Sequence, residues 1–237
     1  MRKSLVYLSS LLLVALPLFD KMASASNKTK DDDLLRNSGT VLREILDVPD
    51  NIPRDLLDKA DCVVVFPSVF KVAFKDGGGS YGQGAMSCRQ GGGFKGPWGA
   101  PTIMAFDGRS FRFQSGGKVT DLVLLVMDEC AATGILNSQF KLGADASEAA
   151  GPVGRDSSTD AGTNLRAEIL SYSRARGMLA GVSLDGFTIR PNNGDNRRVY
   201  GRNIPAKEIV LSGDVVAPRS AEQMISTLDA RTSKPRA

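Results

Sequence analysis

The chain has 237 residues, of which 42% are hydrophobic, and its 30 Lys and Arg against 26 Asp and Glu leave a net charge of +4. That length fits one large domain or two small ones, one being the simpler reading, with a core that is stable without crosslinks. Histidine is absent, which excludes the Ser-His-Asp and Cys-His arrangements and every zinc site that uses an imidazole.

Arg2 and Lys3 open the chain, Leu5 to Phe19 is mostly apolar, and Ala23-Ser24-Ala25 is a small-x-small site. This is the pattern of a secretory signal peptide over residues 1–25, cut after Ala25. The apolar run falls short of the ~20 residues of a comfortable membrane span. No cysteine follows it to carry a lipoprotein anchor. Arg2, Lys3, Asp20 and Lys21 all lie in this segment, so half of the net charge leaves with it. A surface that binds nucleic acid as a general polyanion is therefore not indicated.

Residues 26–33 are polar and expected to form a disordered linker. From Leu34 the apolar residues 34, 35, 41, 42, 45 and 46 fall on one helical face, with Gly39 weakening the helix. Pro49 and Pro53 end that helix and start a second, short one with Leu56, Leu57 and Ala60 inward. The period then changes. Cys62 to Phe66 and Val69 to Phe74 read as strand, with the even positions Cys62, Val64, Phe66, Phe70, Val72 and Phe74 on one face. Gly77 to Gly79 is a turn, Tyr81 to Arg89 a strand, and further strands are expected at 101–106, 110–114 and 119–127. Asp128 is placed to cap a helix running to Leu136. Residues 167–172 and 177–184 read as strands, and Asn192 to Asn196 as a polar loop. Ser220 and Gln223 match a capping box before a C-terminal helix whose inner face is Met224, Ile225 and Leu228. Residues 231–237 read as a flexible tail.

Many short strands with Gly turns, and helices near the ends, predict an α+β domain. It is mainly antiparallel sheet, as a sandwich or partly closed barrel, with an N-terminal amphipathic helix and a C-terminal helix. An oxidising location permits one disulfide among Cys62, Cys88 and Cys130 and leaves one thiol over. Cys62 and Cys130 lie in or beside apolar runs and are expected to behave as buried free thiols.

The glycines of 77–93 are interleaved with Tyr81, Gln83 and Met86 and open no helix, so they read as turns and close-packed strand instead of a phosphate loop. Carboxylates are scattered, and no catalytic or metal-binding constellation emerges. The expectation is no enzyme and no cofactor. Ser171 to Gly186 reads SYSRARGMLAGVSLDG. On a strand, Tyr172, Arg174 and Arg176 project from one face, two planar guanidiniums suited to phosphate. The same pattern is also what solvated arginines, or arginines paired with acids, produce.

This segment resembles the signature of the SYLF-domain lipid-binding family. Further matches occur in family order: Ile52-Pro53 with Leu57, Lys59-Ala60 and the strand from Val63; Thr120-Asp121; Leu142-Gly143; Ala149 to Arg155; and Ile209 to Gly213 as a closing strand and turn. The resemblance covers residues 34–230. It implies a domain without catalysis that binds membrane lipid, phosphoinositide in eukaryotic members, with actin association in a yeast branch. Carried over, it makes Arg174, Arg176, Tyr172, Lys141 and Arg155 the lipid-binding candidates, and Leu35, Leu42 and Leu46 the membrane face of the first helix. With an export signal and no SH3 or FYVE segment in these residues, the chain looks like an exported bacterial member. It would be periplasmic or extracellular and peripheral to a membrane. Anionic phospholipid is then the expected ligand. The alternative is an envelope scaffold that binds an acidic protein partner.

Overall fold

The computed structural model describes residues 26–233, apart from 50, 75–76, 111–117, 152–166, 176–177, 183 and 185. The signal-peptide expectation, Arg155 and Arg176 lie outside the described residues. Helix α1 covers residues 26–46 and α2 covers Arg54–Lys59. Strands β1 (Cys62–Phe74), β2 (Gly77–Cys88), β3 (Thr102–Ser110) and β4 (Lys118–Val126) lead to α3 (Glu129–Asn137). There follow β5 (Phe140–Lys141), β6 (Glu148–Ala150), β7 (Ile169–Ala175), β8 (Met178–Gly181) and β9 (Phe187–Pro191). Three helices complete the described chain: α4 (Asn193–Tyr200), α5 (Ala206–Leu211) and α6 (Glu222–Arg231).

The nine strands form one sheet in the order β5-β9-β3-β2-β1-β4-β7-β6, with β8 also on β7. Pairing is antiparallel except between β6 and β7. The α+β class, the antiparallel sheet and the terminal helices are as the sequence predicts. The sandwich alternative is not what forms, because all the described strands share one hydrogen-bonded sheet.

Helices cover both faces of it. Cys62, Val64 and Phe66 look into one core with Ile135 of α3 and Ile209 and Val210 of α5. Val63 and Val65 look into the other with α1, α2 and α6. The apolar stripe of α1 belongs to this second core. Leu35, Leu42 and Leu46, expected to face a membrane, are buried at 1%, 0% and 3% exposure. The sheet offers them an apolar surface, and each fully buried leucine contributes about 1.5–3 kcal/mol. Gly39 has a reason in the same packing: a Cβ there would lie 2.8 Å from the Met224 backbone nitrogen of α6. The helix accepts a poor helix former because its neighbour passes so close.

Several expectations are corrected. Residues 26–33 are the first turns of α1, held by Asp31 and Asp32, instead of a disordered linker. The even-position face of β1 ends at Phe66. The register slips between Phe66 and Val69, at a bulge where Ser68 adopts φ 61°. One extra residue inverts the alternation, so Val69 joins the core of Phe66 while Phe70 is 47% exposed. Strands expected at 101–106 and 110–114 are one strand, β3, as far as Ser110. Asn192 to Asn196 is the cap and first turn of α4. The Asn192 side chain accepts from the Asp195 N–H, and Asn196 both accepts from Ile103 N–H at 2.6 Å and donates to Thr102 Oγ1 at 2.8 Å. These bonds outweigh weak helix propensity. Ile209 to Gly213 is the end of α5 and its turn, with no strand. Ser220 forms no capping box: it sits in a 3-10 turn and donates to Asp32 at 2.7 Å. Thr232, expected in a flexible tail, is buried and accepts from Trp98 Nε1 at 3.0 Å.

Cys62 is not a free thiol. It lies directly opposite Cys88 across β1 and β2, and the two form a disulfide. Cys130 is free and exposed at the start of α3, whose Asp128 cap forms as predicted. The bridge joins residues 26 apart. Its loss is expected to lower stability by about 3 kcal/mol, mainly by freeing the unfolded chain. Thermal melts with and without reductant check this, and Cys62→Ser/Cys88→Ser should melt like the reduced protein.

Candidate functional site

The signature segment enters the fold as β7, between β4 and the β6/β8 pair. Tyr172 and Arg174 share the face that carries α1, as alternation requires. Their environments differ. Tyr172 is fully buried in the α1 core, and burial pushes its phenol well above the usual range. Its ring lies under Gly151, where a Cβ would come 2.1 Å from Tyr172 Cζ. The Gly151 N–H donates to Ser171 O at 2.9 Å, extending the parallel β6–β7 ladder. Two motifs of the sequence, Ala149 to Gly151 and Ser171 to Tyr172, are thus one packing unit.

Arg174 is 19% exposed, and carboxylates hold its guanidinium. Nε and Nη2 donate to Asp121 Oδ2 of β4 at 3.0 and 2.8 Å, and Nη1 donates to Glu44 Oε2 of α1 at 2.6 Å. Burial works against its charge, but the hydrogen bonds to Glu44 and Asp121 outweigh it and raise its pKa. Asp121 Oδ1 in turn accepts from the Ser68 N–H at 3.0 Å. The charge-assisted bonds run from the bulge of β1 through Asp121 and Arg174 to α1.

A second cluster holds the beginning of α1. Arg198 of α4 donates to both oxygens of Asp31, at 2.8 and 3.2 Å, and also to Asp195. Asp195 further accepts from Gln83 at 2.7 Å and from Asn192 at 2.8 Å. Burial raises the Asp31 pKa, against the lowering effect of the Arg198 hydrogen bond.

Beside this half of α1 lies an open cleft of about 490 Å³, lined by Leu34, Pro67, Phe70, Tyr81, Phe106 and Arg190 among others. Phe70 and Tyr81 face each other across β1 and β2. Their rings stack with centroids 5.8 Å apart and planes 18° apart, and they are 47% and 56% exposed. Arg190 and Asp107 pair at 3.7 Å on the adjoining strands. At the same end of the sheet, Lys71 stands directly opposite Lys118, and Arg109 opposite Gly79.

The described candidates stand in different environments. Lys141 is exposed on β5, at the other end of the strand order from Arg174 on β7. Tyr172 is core, and Arg155 and Arg176 lie outside the described residues. Sequence reasoning missed Asp121 and Glu44 as the partners of Arg174, although a lone carboxylate inside the apolar run 119–126 signals a paired charge. It also missed the Phe70–Tyr81 pair, because the bulge was not foreseen. Among the described residues no group of three or more His, Cys, Asp or Glu could hold a metal ion. No helix there is long and apolar enough to cross a membrane.

A family of domains described as "Las17-binding protein actin regulator", Ysc84, matches residues 107–231. An SH3 domain-containing protein of Schizosaccharomyces pombe is 31% identical over 192 residues, covering 80% of this chain and 43% of that protein. The SH3 domain-containing YSC84-like protein 1 of Homo sapiens is 29% identical over 212 residues, with 84% and 58% covered. Protein YSC84 of Saccharomyces cerevisiae is 29% identical over 213 residues, with 88% and 44% covered. The chain spans about half the length of these curated relatives.

Arg174→Ala is expected to cost about 2–3 kcal/mol, since it leaves Asp121 largely buried and unpaired. Arg174→Lys should recover little of it, because an ammonium cannot replace the forked contact. Denaturant titration of both variants, closed into a cycle with Asp121→Asn, measures the coupling. For Asp31 the folded pKa is raised above the ordinary 3.8. The folded state therefore holds this proton more tightly than the unfolded one. Its contribution to stability grows as pH falls through the raised value and levels off below 3.8. Unfolding free energies of wild type and Asp31→Asn between neutral and acid pH should diverge in favour of wild type.

Proposed function

We infer, from the premise that this chain belongs to the Ysc84 (SYLF) family, that it is a module without catalysis that attaches reversibly to anionic phospholipid surfaces. One observation carries the reading: Phe70 and Tyr81, 47% and 56% exposed, stack as an aromatic pair on directly paired strands, while Lys141 is exposed on β5. Exposed aromatic rings favour the headgroup level of a bilayer, and Tyr81 adds a polar tip. Each basic residue near an anionic membrane surface adds ~1 kcal/mol, so attachment of this kind is weak and salt-sensitive.

The other lipid candidates fit this reading unequally. Lys141 is exposed and open to a headgroup. Arg174 is committed to Asp121 and Glu44. Insertion of α1 through Leu35, Leu42 and Leu46 would first expose that stripe to water. At about 1.5–3 kcal/mol per leucine, with the rest of the stripe added, this approaches the whole stability of a domain. Attachment by the folded surface is the cheaper route. Export is part of the proposal: the Cys62–Cys88 disulfide supports an oxidising compartment, in line with the basic-apolar-small start of the chain.

A second reading has the same surface contact an acidic protein partner. It is favoured by the family description as a regulator of actin and by the SH3 domains named in the relatives.

The full chain should float with vesicles rich in phosphatidylglycerol and not with neutral phosphatidylcholine, and should be released as salt approaches ~0.5 M. Phe70→Ser/Tyr81→Ser should lower partition by about tenfold or more, and Lys141→Ala by about fivefold. Absence of flotation, or flotation indifferent to salt, rejects the lipid reading. Crosslinking of one acidic protein without flotation establishes the second.

A further inference from the structure

We propose that the cleft on β1, β2, β3 and β9 binds a neutral sugar ring, carried by a free glycan or by a glycolipid headgroup. Such a site goes beyond the lipid reading, which concerns only what the two aromatic rings meet. The sheet register builds it. Phe70, Tyr81 and Asp107 stand in one row across β1, β2 and β3. Gln83, Ala105 and Arg190 stand in the next row, across β2, β3 and β9. Residues two apart on a strand share a face, and all six line the cleft. Ala105 is small and lies between two long side chains. It leaves a hollow two strand spacings, ~10 Å, across. The cleft volume of about 490 Å³ is within the ~300–1,000 Å³ of small-ligand clefts.

One side of this hollow is aromatic. Phe70 and Tyr81 present stacked rings, each about half exposed. The face of an aromatic ring carries negative potential. The C–H bonds on one side of a pyranose carry the opposite partial charge, so a sugar lays that side on such a platform. The rings sit on directly paired strands, and the platform is formed before the ligand arrives.

The other side is polar. Asp107 and Arg190 stand 3.7 Å apart, beyond hydrogen-bond distance, and both side chains are 50% exposed. The carboxylate keeps its acceptors and the guanidinium its donors for vicinal hydroxyls. Gln83 is fixed through its amide nitrogen, which donates to Asp195 at 2.7 Å, and its amide oxygen remains an acceptor. Arg198 and Asn192 hold Asp195 in turn. Charge decides the ligand class. Asp107 and Arg190 are the charged residues among those that line the cleft, and they offset each other. A phosphate or an ammonium therefore gains no net attraction. A purely apolar ligand would take the pair out of water and return no hydrogen bonds. A neutral polyol ring supplies both an apolar face and hydroxyls.

The test titrates the full chain calorimetrically with neutral trisaccharides of glucose, galactose, mannose and N-acetylglucosamine. At least one should bind, with an affinity that stays flat as salt rises to ~0.5 M. Tyr81→Ala and Asp107→Ala should each weaken it by about tenfold. Both side chains are at least half exposed, so both variants should fold. Asp107→Ala should not weaken flotation with phosphatidylglycerol vesicles. Phosphatidylcholine vesicles with and without a monoglucosyl diacylglycerol form the second arm. Flotation that requires the glycolipid assigns the sugar to a headgroup, and binding of trisaccharides alone assigns it to a glycan. No binding in either arm, or a folded Asp107→Ala that binds sugar like wild type, overturns the site and leaves the lipid reading standing. Absence of flotation with phosphatidylglycerol removes the lipid reading and leaves the sugar site to its own titration.

Discussion

The carboxylate of Asp121 is the point on which the rest of this structure turns. One oxygen accepts from the backbone of Ser68 and stabilises the bulge in β1; the other accepts two bonds from Arg174, which reaches Glu44 of α1. A single partly buried charge thus sets the phase of the central strand and the seat of the first helix. Each bond is charge-assisted and so stronger than a neutral one. The site is shielded enough for the bonds to count: the Asp121 and Arg174 side chains are 18% and 19% exposed.

The consequence for the basic signature is a change of role. Arg174 stands where a phosphate-binding arginine would be drawn from sequence, yet its donors serve the fold. Tyr172, two residues before it, fills the space under Gly151. The motif is demanding because several elements converge on it: β4 and α1 through Arg174, and β6 through Ser171 and Tyr172. The bulge in β1 turns Phe70 outward instead, beside the exposed Tyr81.

The two faces of the sheet also explain why α1 is long and amphipathic without being a free membrane element. Its stripe completes the core of Val63 and Val65. Its ends are tied by Asp31 to Arg198 and by Glu44 to Arg174. Packing and ion pairs act together here: the apolar contacts supply the free energy, and the charged contacts define where along the sheet the helix sits.

From the sequence alone, periodicity located α1, α2, β1, β4 and α3, because each buries one face or both over a run long enough to show its period. The Asp128 cap, the antiparallel class and the family resemblance were legible for the same local reasons. Tertiary structure decided the rest. Nothing local says that Cys62 meets Cys88, that Asn196 bonds to β3 strongly enough to hold a helix in an Asn-rich segment, or that an amphipathic stripe has a sheet to lie on. Above all, the pattern of Cys62 to Phe74 was read without its bulge. In a strand, one extra residue exchanges the two faces for everything that follows, and the carboxylate that holds that residue is 53 positions away.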